Sequence, residues 1–411
     1  MRIVFYSQHV LGVGHLFRSL EIAKALAPHQ VDLVTGGEHV AVALPPHVRH
    51  LPLPELSMDP DFQGLQISRS ATKSLESSRA MEAVMDERRH RLLEHVRATQ
   101  PDLFLAELFP FGRKRFGFEL LPVLEAVRRG ELGHCRTVCS VRDILVEKRD
   151  PDKYESRVVK QLNSLFDLVL VHADPRLIRL EETFVRITDI VPPVRYTGYV
   201  AAPVDASEGE RLRESLGLAS EDGMIVASVG GGAVGHELLE AVLEASALLQ
   251  SRRSHQLRMF TGPFMAENAF TVLSKRAAGL EGVHLERFTE NFGTWLAAAD
   301  LSVSMAGYNT TMNLLAAETF GLVWPFAQNR EQTMRAQRLE RFGMLSVLQP
   351  EDLVPERLTQ RMAEALDIGR KNRAGTGLGE PCEGASCIDL NGAAATRRIL
   401  ETFYMGEDLD G

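Results

Sequence analysis

The sequence predicts an α/β protein built from two doubly wound parallel-sheet domains facing each other across a cleft. Three observations carry that expectation. Short apolar runs alternate with longer helical patterns along most of the chain. The alternation breaks once, at the Pro- and Gly-bearing stretch "PPVRYTGYVAAPVDASEGE", and then restarts on the same plan. A length of 411 residues suits two or three domains, and can bury roughly three quarters of the extended surface without disulfide or metal staples.

Taken in order, "RIVFYS" reads as a strand, and "HLFRSLEIAKALAPH" sets Leu16, Leu20, Ala23 and Ala27 on one helix face. "VDLVTGG" is extended and "MEAVMDERRHRLLEHVRATQ" is a long helix stopped before Pro101. "DLFLAE", "RTVCSVRD" and "DLVLVHA" are strands separated by the helices "ELLPVLEAVRRG" and "KYESRVVKQLNSLF". The broken stretch reads as a linker. Behind it, "GMIVASVGGGAVG", "QLRMFTGPF", "GVHLERF", "DLSVSMAGYNT" and "LVWPF" supply a second set of strands among helical segments. The domains expected are residues 1–197 and 198–384, with 385–411 ("NGAAATRRILETF" within it) as a final helix packing back towards the first.

Composition excludes several classes. Hydrophobic residues at 45% and charged residues at 25% are ordinary for a globular protein, and a net charge of −9 without a long basic block argues against nucleic-acid binding. No window approaches 18 uninterrupted apolar residues, and the first apolar run is too short for a signal peptide, so a cytoplasmic location is expected. Cys135 and Cys139 share one strand, about 13 Å apart, too far to bond. Cys382 and Cys387 sit in a Gly-rich loop without neighbouring ligands, so free thiols are expected there too.

Ligands of open α/β sheets lie beyond the carboxyl ends of the strands, and the chemistry-bearing motifs fall there. In "HVLGVGHLFRSLEIAKAL", Gly12 and Gly14 permit a tight loop, and His15 lands in the first helical turn. A helix N-terminus disfavours imidazolium, so His15 should stay neutral and able to take a proton. His9 is the competing candidate, and Glu107 at the end of "DLFLAE" could hold the ring. Arg142 and Asp143 end the next strand, either facing the cleft on the acceptor side, near Gly14, or forming a surface ion pair.

"SVGGGAVGHELL" sets Gly231 and Gly232 between strand and helix, where main-chain amides suit a phosphate. "SMAGYNTTMNLL" places Tyr308, Asn309, Thr310 and Thr311 at a helix start, either capping it or holding a diphosphate. Glu331 and Gln332 open another helix, able to fork onto sugar hydroxyls or simply to form a favourably charged first turn. Asp59–Asp61 and Asp150–Asp152, both "DPD", have metal-binding spacing but loop positions, so no metal is expected. "RKRFGF" (Arg113–Phe118) mixes charge with aromatics, as weak peripheral membrane contact would require, or as a solvated loop.

Together, "GVGHLFRSLEIAKAL", "SMAGYNTTMNLLAAE", "WPFAQNREQTMRAQRLERFG", "VRYTGYV" and "IDLNGAAATRRIL" resemble the GT-B glycosyltransferases, with their two Rossmann-like domains. The nearest group is the predicted glycosyltransferases related to the N-acetylglucosaminyl transferase of peptidoglycan synthesis. The resemblance implies a nucleotide-sugar donor (a UDP-sugar) in the second domain and a hydroxyl acceptor in the first, with inverting transfer and no metal or other cofactor. It places His15 as base, Gly231, Gly232 and Tyr308–Thr311 at the diphosphate, and Glu331 and Gln332 at the sugar. Asn313 stands where relatives carry Glu on the ribose diol, an amide bonding less strongly than a charged acceptor. Glu318–Thr319–Phe320 replaces Gly-x-Pro, and Phe326 replaces Arg. The same His loop is similar to that of nucleotide-sugar hydrolases, where the His activates water. The departures also fit a non-catalytic nucleotide-sugar binding protein.

Overall fold

The computed structural model describes residues 1–9, 14–37, 43–58, 65–66, 75–219, 221–326, 328–374 and 388–408. Gly12, Asp59–Asp61, Cys382 and Cys387 lie outside the described residues. The chain divides into two compact units, one of Met1–Val200 with Asp389–Gly411, the other of Ala201–Ile388.

The first unit holds β1 (Arg2–Tyr6), α1 (Gly14–Ala25), β2 (Gln30–Thr35), β3 (Val48–Pro52), the short antiparallel pair β4 (Ser57–Met58) and β5 (Leu65–Gln66), and α2 (Leu75–Thr99). Then come β6 (Leu103–Glu107), α3 (Gly117–Arg128), β7 (Arg136–Arg142), α4 (Pro151–Leu165), β8 (Leu168–His172) and β9 (Val194–Tyr196). Seven of these strands form one parallel sheet in the order β3-β2-β1-β6-β7-β8-β9. β6 and β8 are buried at every residue, as strands covered on both faces must be, which explains their unbroken apolar runs. Leu16, Leu20 and Ala23 of α1 pack against Ile3, Phe5 and Leu103, each large side chain contributing roughly 1.5–3 kcal/mol on full burial. α1 ends at Ala25, so the fourth apolar position expected of it, Ala27, falls beyond the helix and Leu26 is the buried residue instead.

The expected linker is shorter than its composition implies. Val194–Tyr196 forms β9 at the edge of the sheet, directly after Pro192 and Pro193, where an edge strand tolerates proline. Asp150–Asp152 is no open loop either: Asp150 caps α4, its carboxylate accepting from the Lys153 amide at 3.1 Å, with Pro151 at the first helical position.

The second unit holds α5 (Ala206–Ser215), β10 (Gly223–Ser228), α6 (His236–Gln250), β11 (His255–Phe260), α7 (Glu267–Ala277), β12 (Val283–Glu286), α8 (Phe292–Ala298), β13 (Leu301–Met305), α9 (Tyr308–Ala316), β14 (Gly321–Trp324), α10 (Arg330–Arg341), β15 (Leu345–Val347) and α11 (Pro355–Arg373). Its parallel sheet runs β12-β11-β10-β13-β14-β15. Ile225, Leu257, Leu301 and Leu322 of the sheet meet Leu239 of α6 and Met362 of α11 in the core. The chain then returns to the first unit. The Tyr199 amide donates to the Asp389 carbonyl at 2.7 Å, and α12 (Gly392–Met405) packs on α1, burying Leu400 among Leu16 and Leu20. No helix among the described residues is long and apolar enough to cross a membrane. Cys135 and Cys139 are both free and buried.

Strand order locates one special point in each sheet. β1 neighbours β2 on one side and β6 on the other, and β10 neighbours β11 and β13, so the order reverses between β1 and β6 and between β10 and β13. Crevices at such reversals are where open α/β sheets bind ligands.

Candidate active site

In the first unit the reversal brings two motifs together. α1 starts at Gly14, and Glu107 is the last residue of β6. The Nδ1 of His15 lies 2.6 Å from Oε1 of Glu107. Glu107 is fully buried, while the His15 side chain keeps 20% of its surface exposed. A carboxylate only accepts, so Nδ1 carries the proton and donates, leaving the Nε2 lone pair available to a substrate hydroxyl. Burial pushes the His15 pKa down from 6.5 to about 3, with the attraction of Glu107 opposing and Arg113 and Arg18 adding to the fall. The ring is therefore neutral at physiological pH. Burial alone would raise the Glu107 pKa, but His15, Arg18 and Arg113 outweigh it and hold the group well below the usual carboxylate range.

Arg18, one helical turn after His15 and almost fully buried, donates from Nη2 to the same Oε1 of Glu107. It ties down the carboxylate that orients the imidazole. Arg113 approaches the other carboxylate oxygen, Nε to Oε2 3.9 Å. Neither arginine was singled out as a site residue in the sequence. An arginine on an amphipathic helix reads as solvated, although a spacing of three from His15 puts Arg18 on the same face.

The remaining candidates of this unit separate. His9 is buried against the Gly37 main chain, where a Cβ would collide with its ring. Asp143 is fully buried, which rules out a surface ion pair with Arg142. In "RKRFGF" Phe116 is fully buried and Phe118 half-buried, so the aromatics that membrane contact would need are turned inward; only Lys114 and Arg115 are exposed. Two buried residues not anticipated support the sheet behind the site. His172, at the end of β8, is clasped between Ser140 Oγ at 2.7 Å and Thr197 Oγ1 at 2.9 Å. Arg88 of α2 makes a bidentate pair with Glu119 of α3 at 2.7 and 2.8 Å, and Glu119 also accepts from the Tyr6 hydroxyl.

In the second unit the two glycine-bearing loops follow β10 and β13, the strands flanking the reversal. Gly230 and Gly232 have φ of 65° and 84°. Gly232 is turned to the loop after β11, where a Cβ would overlap the Thr261 carbonyl oxygen, and its amide donates to Val229 at 3.4 Å. The Gly231 carbonyl accepts from the Phe264 amide at 2.9 Å, while a Cβ on Gly230 would meet open space. Gly232 thus serves loop packing, and the open face of this turn belongs to Gly230.

The N-cap of α9 is Gly307, and no side chain caps it. Tyr308, Asn309 and Thr310 form the first turn of α9, and Asn309 and Thr310 are half-exposed. Thr311 does not join them. Its hydroxyl donates to the Gly307 and Tyr308 carbonyls at 3.0 and 2.9 Å, its amide bonds Gly307 at 2.9 Å, and the residue is fully buried. Asn313 is half-buried one turn on. Gln332 is spent in part on its own loop, its Oε1 accepting from the Phe326 amide at 3.0 Å, while the buried Glu331 carboxylate accepts from Asn329 at 3.4 Å. Arg335, one turn beyond Glu331, is fully buried with its guanidinium 5.1 Å from the Tyr308 ring centre, fastening α10 to the start of α9.

Residues 226–374, from β10 to the end of α11, match the family model described as the glycosyltransferase family 28 C-terminal domain. The fold is GT-B, and the second unit carries the match to the family 28 C-terminal domain. The family 28 match and its neighbourhood extend to curated relatives. The UDP-N-acetylglucosamine--N-acetylmuramyl-(pentapeptide) pyrophosphoryl-undecaprenol N-acetylglucosamine transferase of Nitrosococcus oceani is 34% identical over 175 residues, 42% of this chain and 48% of that protein. The chain spans about half the length of the curated relatives it matches, from 48% to 59%. Among solved structures, the calicheamicin glycosyltransferase CalG4 aligns over 100% of this chain and 99% of its own, at 16% identity and TM-score 0.59. Phytolacca americana UGT2, complexed with UDP-2fluoro-glucose and pterostilbene, aligns over 98% of both chains at 15% identity and TM-score 0.60. At these identities the structural likeness establishes the fold, and the family 28 domain carries the sequence relationship.

Proposed function

We propose that this chain transfers a sugar from a nucleotide diphosphate sugar, with UDP as the nucleotide, to a hydroxyl acceptor, inverting the anomeric carbon. The observation that carries the reading is the neutral imidazole of His15, held through Nδ1 by a buried carboxylate at the strand-order reversal. The acceptor hydroxyl gives its proton to Nε2 as its oxygen attacks the anomeric carbon. Glu107 stabilises the imidazolium as it forms, and the bond to the diphosphate breaks on the opposite face of the sugar. Gly14, Arg142 and Asp143 stand on the acceptor side of this centre.

The departing diphosphate is assigned to the second unit. The main-chain amides of Tyr308, Asn309 and Thr310 and the positive end of α9 meet its charge, with the Gly230–Gly231 turn alongside. Because preorganised amides supply that stabilisation, turnover is expected to survive a chelator. Asn313 is proposed for the ribose, and Glu331 with the free amide end of Gln332 for the sugar. The UDP assignment draws on the names of the curated and structural relatives.

Incubation of UDP-N-acetylglucosamine and UDP-glucose with a panel of hydroxyl compounds, with and without EDTA, tests the reading. Acceptor-dependent UDP release with a β-linked product supports it. Stoichiometric release of free sugar without acceptor would replace transfer by hydrolysis at the same dyad. Donor binding without turnover would leave a nucleotide-sugar sensor.

A further inference from the structure

Arg113 is a buried cation for which the described residues of the first unit supply no closed partner. It sits beyond the end of β6 with a left-handed φ of 55°, a conformation that costs a non-glycine residue roughly 1–2 kcal/mol. That backbone turns its side chain inward, leaving only 9% exposed. Its Nε and Nη2 are buried without a hydrogen-bond acceptor among the described residues, and the nearest carboxylate oxygen, Glu107 Oε2, stands 3.9 Å from Nε. The other buried arginines here are differently served. Arg18 is hydrogen-bonded to Glu107, and Arg88 to Glu119, Gln8 and the Gly36 and Pro54 carbonyls.

Counting charges shows what is missing. Glu107 balances Arg18 and Glu119 balances Arg88. Among the described residues, Arg113 is left over. Burial and the nearby charges of Arg142 and Arg18 push its pKa below the ordinary arginine value, with Glu107 opposing. Lys148, beyond Arg142, is likewise lowered by burial and by Arg142 and Arg157. A surplus guanidinium with unused donors, flanked by further cations, has the geometry for a planar or tetrahedral oxyanion.

We infer that Arg113, with Arg142 beside it, forms an anion subsite next to the His15–Glu107 pair, and that the acceptor carries a carboxylate or phosphoryl group close to its reacting hydroxyl. The second half of this statement rests on the sugar-transfer reading; the first does not. Glu107 links the two functions, one oxygen orienting the base and the other facing the anion subsite.

Binding of phenyl phosphate and benzoate, compared with uncharged benzyl alcohol, tests the subsite by calorimetry. Wild type should bind the anions at least tenfold tighter than the alcohol. With UDP saturating the second unit, Arg113→Gln should abolish that margin and Arg113→Lys should keep part of it. An intact margin in Arg113→Gln overturns the inference, as does loss of the wild-type margin on adding UDP, which would move the anion to the second unit. If Arg113→Gln does not unfold cooperatively, the decision passes to Arg113→Lys, which keeps the charge but not the fork. An undiminished margin there overturns the bidentate subsite. A margin that depends on Arg113, combined with no transfer to carboxylated or phosphorylated alcohols, supports the subsite and sinks sugar transfer instead.

Discussion

The imidazole of His15 and the carboxylate of Glu107 are hydrogen-bonded at 2.6 Å although 92 residues separate them in the chain. They meet because the strand that precedes His15 and the strand that ends in Glu107 are neighbours across the reversal of strand order. The geometry fixes the tautomer, and the tautomer fixes which nitrogen can take a proton.

Glu107→Gln should therefore cost more than a hydrogen bond. An amide oxygen can still accept from Nδ1, but no negative charge remains to stabilise the imidazolium, and Arg18 is left without its counter-ion. Steady-state kinetics should show kcat reduced by about two to four orders of magnitude, with the donor KM changed only a few-fold. A kcat within threefold of wild type would remove His15 and Glu107 from the chemistry.

The acid limb of the rate profile should be displaced. With the His15 pKa near 3, activity should persist well below pH 6.5, where an ordinary histidine would already be protonated. Arg18 lowers that pKa by its charge, so Arg18→Gln should raise it and move the acid limb upward. The pH dependence of kcat/KM in both proteins checks the direction.

His172 makes a separate prediction about stability. Burial, then the charge of Arg18, lowers its pKa from 6.5 to about 3. Between those values the unfolded chain binds a proton that the folded one refuses, so its contribution to stability is complete above pH 6.5 and is lost as pH falls towards 3. His172→Gln, which keeps a hydrogen-bonding side chain, should flatten the decline of urea-unfolding free energy between pH 7 and pH 4.5.

Two neighbouring glycines should respond differently to the same change. Gly232→Ala drives a methyl group into the Thr261 carbonyl as well as straining φ, whereas Gly230→Ala meets open space and bears only the left-handed conformation, about 1–2 kcal/mol. Thermal unfolding should place Gly232→Ala clearly below Gly230→Ala. Equal melting temperatures would mean that the two loops move apart without cost.

Most of the fold was legible because the interior strands are covered on both faces. "LFLAE" and "LVLVH" are unbroken apolar runs for that reason. β3, β9 and β15 are not legible: all three are short edge strands, and β3 and β9 carry or follow proline. In the site, His15 and Glu107 were legible from their places at strand ends. The inward turn of Thr311 is not legible in sequence, because helical rotation carries the fourth residue of α9 to the buried face, where its hydroxyl bonds back to the preceding turn. Arg18 and Arg113 look like ordinary surface charges in sequence, and only the tertiary structure shows that both are buried beside one carboxylate.

The return of α12 to the first unit has a consequence for biosynthesis. On the ribosome, residues 201–388 can complete their sheet while the earlier unit still lacks the helix that covers Leu16 and Leu20. The part made first is thus finished last. A stop codon placed just before residue 389 would expose the apolar flank of α1, and damage the histidine-bearing unit rather than the unit beside which the cut is made.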